Sequence, residues 1–122
     1  MKEFELIDRL IPLLPGNKGT LVGAGDDCAV LDVGMPGKLL LFKTDAVVEG
    51  VHFTQDDGWV RVGRKAISRA LSDIAAMAGE PLSALVTLGL PSDFDFKKVK
   101  EIYQGIQERA AMFGVSVSGG ET

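Results

Sequence analysis

The sequence predicts an α/β (α+β) sandwich: a mixed sheet of four to five strands with helices on one face. Three observations carry this. Two long segments have helical apolar spacing, short apolar runs lie between clusters of Gly, Asp and Pro, and the two kinds of segment alternate along the chain. The order read is helix, three strands, helix, strand, helix, strand.

Ile7, Leu10 and Ile11 stand at helical spacing with Phe4 one turn earlier, so Glu3 to Ile11 predicts a short helix that Pro12 ends. From Thr20 onward, Val22, Cys28 to Leu31, Leu39 to Phe42 and Val47-Val48 are short apolar runs, read as three strands joined by tight turns. Val47, Val48, Val51 and Phe53 place apolar side chains on both sides of one strand by period-two alternation, and one of those sides needs a partner. Asp57 to Ala78 is the longest helical pattern, with Ile67, Ala70, Leu71, Ile74, Ala75 and Ala78 on one face and Gly79 and Pro81 closing it. Leu82 to Leu88 reads as a buried strand. Ser92 followed by Asp95 resembles a capping box and opens a helix that buries Val99, Ile102, Tyr103, Ile106, Ala110 and Phe113 before Gly114. Val115 to Ser118 is the last strand. The chain then stops at "SVSGGET", just as a glycine pair follows that strand, and the expectation is one domain of a longer enzyme.

The 122 residues, 46% of them apolar, are one domain's worth of chain with enough apolar content for a core. The net charge of −4, with scattered Lys and Arg, offers no basic stripe for a nucleic-acid backbone. No apolar run approaches the roughly 20 residues that span a bilayer, and no signal-peptide pattern opens the chain, so a cytoplasmic protein without membrane contact is expected. A single cysteine, Cys28, forms neither an internal disulfide nor a multi-cysteine zinc site.

Acidic residues recur where the apolar runs end. Asp26 and Asp27 follow "GAG", Asp45 closes the Leu39 run, Asp73 interrupts an apolar helix face, and Glu121 follows Gly119-Gly120. Asp26 and Asp27 serve equally well as turn residues that cap their own backbone. Asp73 has two readings: an ion pair with Arg69 on the same helix, or a ligand to a metal or metal-bound phosphate, because an unpaired carboxylate there costs several kcal/mol. Carboxylates with the Thr44 hydroxyl form a hard oxygen set, which suits Mg²⁺ bridging to phosphates. His52, the only histidine, is either a half-exposed residue at a strand end or a functional one. The glycines of "GAGDD" and "SGGET" serve a turn or the close approach of a phosphate. Neither GxxxxGK[ST] nor GxGxxG occurs, so a Walker loop and a Rossmann crevice are both excluded.

Taken together, "GDDCAVL", "KTDAVVEGVHF", "RKAISRALSDIAAMAGEP" and "SVSGGET" resemble, in order and spacing, the N-terminal half of the thiamine-monophosphate kinase family. That family lies within the superfamily of aminoimidazole ribonucleotide synthase and selenophosphate synthetase. The resemblance implies transfer of the ATP γ-phosphoryl group to thiamine monophosphate, with several Mg²⁺ ions between the phosphate chains and no side chain acting as acid or base. It implies Asp27, Lys43, Thr44, Asp45, Asp73 and Glu121 at the metals, His52 at the substrate, and Tyr103, Gly120 and Glu121 at ATP. It also implies a homodimer in which N-terminal domains pair into a barrel-like sheet, with a C-terminal domain beyond residues 1–122 and little turnover without it. Two departures stand out. Lys43 replaces a family threonine, leaving its carbonyl but no hydroxyl, and Glu121 replaces the aspartate of GGDT. Another ATP-using member of the superfamily, such as an aminoimidazole ribonucleotide synthase, and a non-catalytic Mg-nucleotide or dimerisation module are the alternatives.

Overall fold

The computed structural model describes residues 2–122, which form two compact units. One gathers the chain up to Thr44 with Asp73–Gly79, and the other holds Asp45–Ser72 with Glu80–Thr122.

The first unit opens with α1, Glu3–Leu10, whose Glu3 and Glu5 lie in the first turn and Arg9 in the last, charges that complement the helix dipole. Arg9 also pairs with Glu5, one turn back, at 2.9 Å. Pro12 lies in the first turn of a 3₁₀ segment, Ile11–Leu13, so the chain tightens after α1 instead of simply leaving the helix. Strands β1 (Thr20–Val22), β2 (Ala29–Leu31) and β3 (Leu40–Phe42) then form an antiparallel sheet in chain order, with Val30 opposite Leu41. Cys28 and Val30 are its buried side chains.

The second unit contains most of helix α2 (Trp59–Ala76), then β4 (Ser83–Thr87), α3 (Phe96–Ala111) and β5 (Ser116–Glu121). β4 and β5 pair in parallel, so they need a crossover between them, and α3 is that crossover. Ile67 of α2 meets Ile102, Ile106 and Ala110 of α3 and Val115, with Ala84, Val86 and Val117 packed against them from the strands. Each such aliphatic side chain, when buried, contributes about 1.5–3 kcal/mol of apolar transfer. α2 and α3 approach backbone to backbone. A Cβ added at Gly63 would lie 2.0 Å from the Ile102 carbonyl oxygen, and one at Gly105 would lie 1.9 Å from that of Val60.

The mixed α/β class and the helices over one sheet face are present, with several differences in detail. The five strands do not form one sheet; three are antiparallel in the first unit and two parallel in the second. Val47 to Phe53 is not a strand, because Gly50 takes φ +77° and the segment folds back on itself. β4 is half-buried on one side only, and Leu85 on its other side is 74% exposed. Ser92 does not cap α3. Asp95 is the cap, its Oδ1 accepting the Lys97 N–H at 2.9 Å, and Phe113 beyond the helix is exposed. In the turn after α2 it is Ala78, not Gly79, that takes the left-handed region, at φ +55°, while the Gly79 N–H returns to the Ile74 carbonyl at 2.9 Å. β5 continues through the glycine pair to Glu121. Gly120 pairs with Val86 so closely that a Cβ would lie 1.7 Å from the Val86 oxygen.

Candidate functional site

In the first unit, the end of β3 places Lys43 against the carboxylate of Asp73, Nζ to Oδ2 at 2.5 Å, with both side chains about three-quarters buried. The desolvation cost that makes Asp73 conspicuous on an apolar helix face is thus offset by an ammonium. The alternative partner read from the sequence, Arg69, is not the one Asp73 takes. An arginine one turn before an acid is the weaker order of an i,i+4 pair, and Arg69 turns elsewhere. Asp27 follows Asp26, whose Oδ1 accepts the Asp27 N–H at 2.8 Å. Cys28 is next in the chain. Burial pushes its thiol up, with Lys43 opposing and Asp73, Asp27 and Asp26 reinforcing the shift. Those charges therefore surround one buried thiol that stays protonated and unreactive. Thr44, exposed, follows Lys43.

In the second unit, Asp45 Oδ1 accepts the Ala46 N–H at 2.7 Å and pairs with Arg69 at 3.2 Å. Its side chain is 17% exposed. His52 belongs to a closed turn. The Val48 carbonyl accepts from the N–H groups of Val51 and His52, Gly50 N–H donates to the Phe53 carbonyl, and Val48 N–H donates to His52 Nδ1 at 2.9 Å. Lys65 donates from Nζ to the His52 carbonyl. A cavity of about 190 Å³ here is lined by His52, Phe53, Asp57, Arg61, Val62 and Lys65. Asp57 closes a reciprocal cap with Thr54, and the Thr54 N–H holds its carboxyl below the ordinary value of 3.8. Phe53 meets Trp59 edge to face, and Trp59 meets Phe94 likewise, so the turn rests on an aromatic row at the start of α2.

Tyr103 is half-buried on α3, next to Ile102 of the core. Gly120 is a glycine because β4 leaves no room for a side chain, so sheet pairing alone accounts for it. Glu121 ends β5 opposite Thr87, its backbone oxygen accepting the Leu88 N–H at 2.9 Å and its Oε1 the Thr122 N–H at 3.3 Å. Lys65 and Arg61 were not singled out from the sequence, and Arg69 was read only as a partner of Asp73. On a helix rich in basic residues such side chains give no sign of what they meet, and only the distances reveal partners.

Among the described residues, no three His, Cys, Asp or Glu side chains cluster closely enough to cage a metal ion. Mg²⁺ does not require such a cage, since it uses one or two carboxylates and keeps waters or substrate phosphates for the rest. The donors present are hard oxygens, and Asp45 and Asp73 each hold a basic partner whose place a cation can take. The donor chemistry therefore fits.

The family described as "AIR synthase related protein, N-terminal domain" matches residues 25–122. The chain belongs to this family. More particularly, it is 37% identical over 120 residues to thiamine-monophosphate kinase of Caulobacter vibrioides, covering 98% of this chain and 34% of that protein. The Bacillus subtilis thiamine-monophosphate kinase is 35% identical over 127 residues, which cover 100% of this chain and 38% of that protein. Among solved structures, AaThiL complexed with AMPPCP and TMP superimposes with a TM-score of 0.86 at 37% identity, over 98% of this chain and 36% of that one. The chain thus spans about a third of the length of the curated relatives it matches.

Proposed function

We propose that the chain is the N-terminal, ATP- and Mg-binding domain of a longer enzyme that phosphorylates thiamine monophosphate to thiamine diphosphate. The observation that carries this is the likeness, over nearly the whole chain, to a protein solved with AMPPCP and TMP. In this reading Asp27, Asp45, Asp73, Thr44, Glu121 and the Lys43 carbonyl hold Mg²⁺. Mg²⁺ held by these residues would supply neutralisation of phosphate charge. Gly120 lies against ATP, Tyr103 packs near the nucleotide, and His52 donates to the substrate. The substrate phosphate is already ionised near neutral pH, so its oxygen attacks the γ-phosphorus in line as the bond to the β,γ-bridging oxygen breaks and ADP leaves, with no side chain taking a proton. Positioning and charge are what this domain supplies.

Lys43 and Arg69 fit the same reading. Each offsets the charge of a carboxylate, which lowers the repulsion that Asp73 and Asp45 present to incoming phosphates. The proposed enzyme is cytoplasmic and acts as a homodimer through this domain. Among the described residues no helix is long and apolar enough to cross a membrane.

The test is a kinase assay of the full-length protein with ATP, Mg²⁺ and thiamine monophosphate, together with calorimetry of Asp45→Asn. The substitution keeps an acceptor for the Ala46 N–H but removes the charge, so Mg-ATP binding weakens at least about tenfold with the fold intact. Unchanged affinity and an unchanged circular dichroism spectrum would refute the ligand role. Nucleotide binding without turnover by the full-length protein would instead favour a non-catalytic module.

A further inference from the structure

We propose that Lys65 is a positioning residue that holds the Val48–Phe53 turn so that His52 presents Nε2–H as a fixed donor to the substrate; the substrate half rests on the kinase reading above. A backbone N–H can only donate. The bond from Val48 N–H to His52 Nδ1, at 2.9 Å, therefore makes Nδ1 the acceptor and leaves the proton of the neutral ring on Nε2. The turn that supplies this N–H is held by its own hydrogen bonds, Val51 and His52 N–H to Val48 O at 3.2 and 2.8 Å and Gly50 N–H to Phe53 O at 2.8 Å. Such a small closed turn has no core of its own and has to be anchored to something rigid.

Lys65 provides the polar anchor. Its ammonium, projecting from α2, donates to the His52 carbonyl, the backbone group of the residue whose ring must be aimed. A charged donor on a neutral carbonyl makes a stronger tie than an amide does. Asp57 lies close enough to feel both Arg61 and Lys65 electrostatically, yet its carboxylate is engaged by Thr54. The ammonium is thus spent on the turn. The other anchor is apolar, Phe53 against Trp59, and sets the depth of the turn without fixing its rotation. His52 and Lys65 line the same cavity, so a group bound there meets a ring whose tautomer and position are set before it arrives.

His52 is the only histidine, so nitrogen-15 NMR of the imidazole reads one ring. In the wild-type protein the expected spectrum shows an unprotonated Nδ1 and a protonated Nε2. Lys65→Met keeps the aliphatic stem and removes the donor. It is expected to average the two nitrogen signals and to raise the KM for thiamine monophosphate about fivefold, with the KM for ATP unchanged. Lys65→Arg, which restores a charged donor, is expected to recover both. Should Lys65→Met fail to fold, Lys65→Gln carries the same comparison. Averaged tautomers in the wild type, a wild-type spectrum in Lys65→Met, or an arginine variant no better than methionine would each overturn the proposal. Loss of the signature in Lys65→Met and its recovery in Lys65→Arg, with no turnover in any variant, upholds the hold on His52 and refutes the kinase reading instead.

Discussion

His52 shows how much a single residue's neighbours decide. Met1 to Thr122 contain one imidazole, and its sequence context allows a surface role or a functional one. The structure adds a hydrogen bond from Val48 N–H and a lysine on the His52 carbonyl, which fix the tautomer and the position of the ring. In the full-length protein, His52→Ala is expected to raise the KM for thiamine monophosphate about tenfold, the loss of one good hydrogen bond, and to leave that for ATP nearly unchanged. Steady-state kinetics with each substrate varied in turn decides this, and the reverse pattern puts His52 on the nucleotide side. The acidic residues were legible as a group because carboxylates at the ends of apolar runs are costly. Their partners were not. Asp73 takes Lys43, thirty positions away in sequence, and Arg69 takes Asp45, because pairing depends on which strand end reaches which helix turn.

At the scale of elements, helices were read more faithfully than strands. The 3.6-residue period over Asp57 to Ala78 and over Val99 to Ala110 survives into α2 and α3, whereas the run Val47 to Phe53 has too few residues to distinguish a strand from a turn. The Gly63–Gly105 contact was invisible, since a glycine inside a helical pattern gives no sign of which backbone it touches. Gly105→Ala forces a methyl into the Val60 carbonyl, and the expected cost is about 1–3 kcal/mol or more in a urea denaturation experiment, with α2 and α3 pushed apart. Between the same helices Arg64 pairs with Glu108. The hydrogen bonds from Arg64 and then Gln104 hold the Glu108 carboxyl below its ordinary 4.5. A lowered folded-state pKa stabilises above the unfolded value and loses that stabilisation as the pH falls through the folded one. Glu108→Gln is therefore expected to melt slightly earlier than the wild type near pH 7, with the gap closing below about pH 4.5. Melting curves that stay equally separated at all pH values would contradict the ion pair.

For the molecule as a whole, the outer side of β4 carries Leu85, 74% exposed, beside a row of hydroxyls in which Ser83, Ser116 and Ser118 bond one another. In the turn before α2, Val51 is also 75% exposed. An exposed leucine on a sheet face is a side chain that a partner surface can cover. The proposed homodimer supplies one, and light scattering on the 122-residue chain is expected to report a dimer. A monodisperse monomer refutes the pairing. The same preparation is expected to show little kinase turnover compared with the full-length enzyme, since in the proposed reading a further domain completes the enclosure of the substrate.

Residue type and spacing alone determined the α/β class, both long helices, the three early strands and a hard-oxygen set of carboxylates beside strand ends. These are local properties: periodicity, turn chemistry and the cost of an isolated charge act over a few residues. The resemblance in four short motifs did the rest of the functional reading. Tertiary structure decided that five strands form two sheets, that Asp73 answers to Lys43 and Asp45 to Arg69, and that the turn around His52 is pinned by Lys65. The side-chain pairings depend on distances between residues 13 to 30 positions apart, and no periodicity in one sequence encodes a distance.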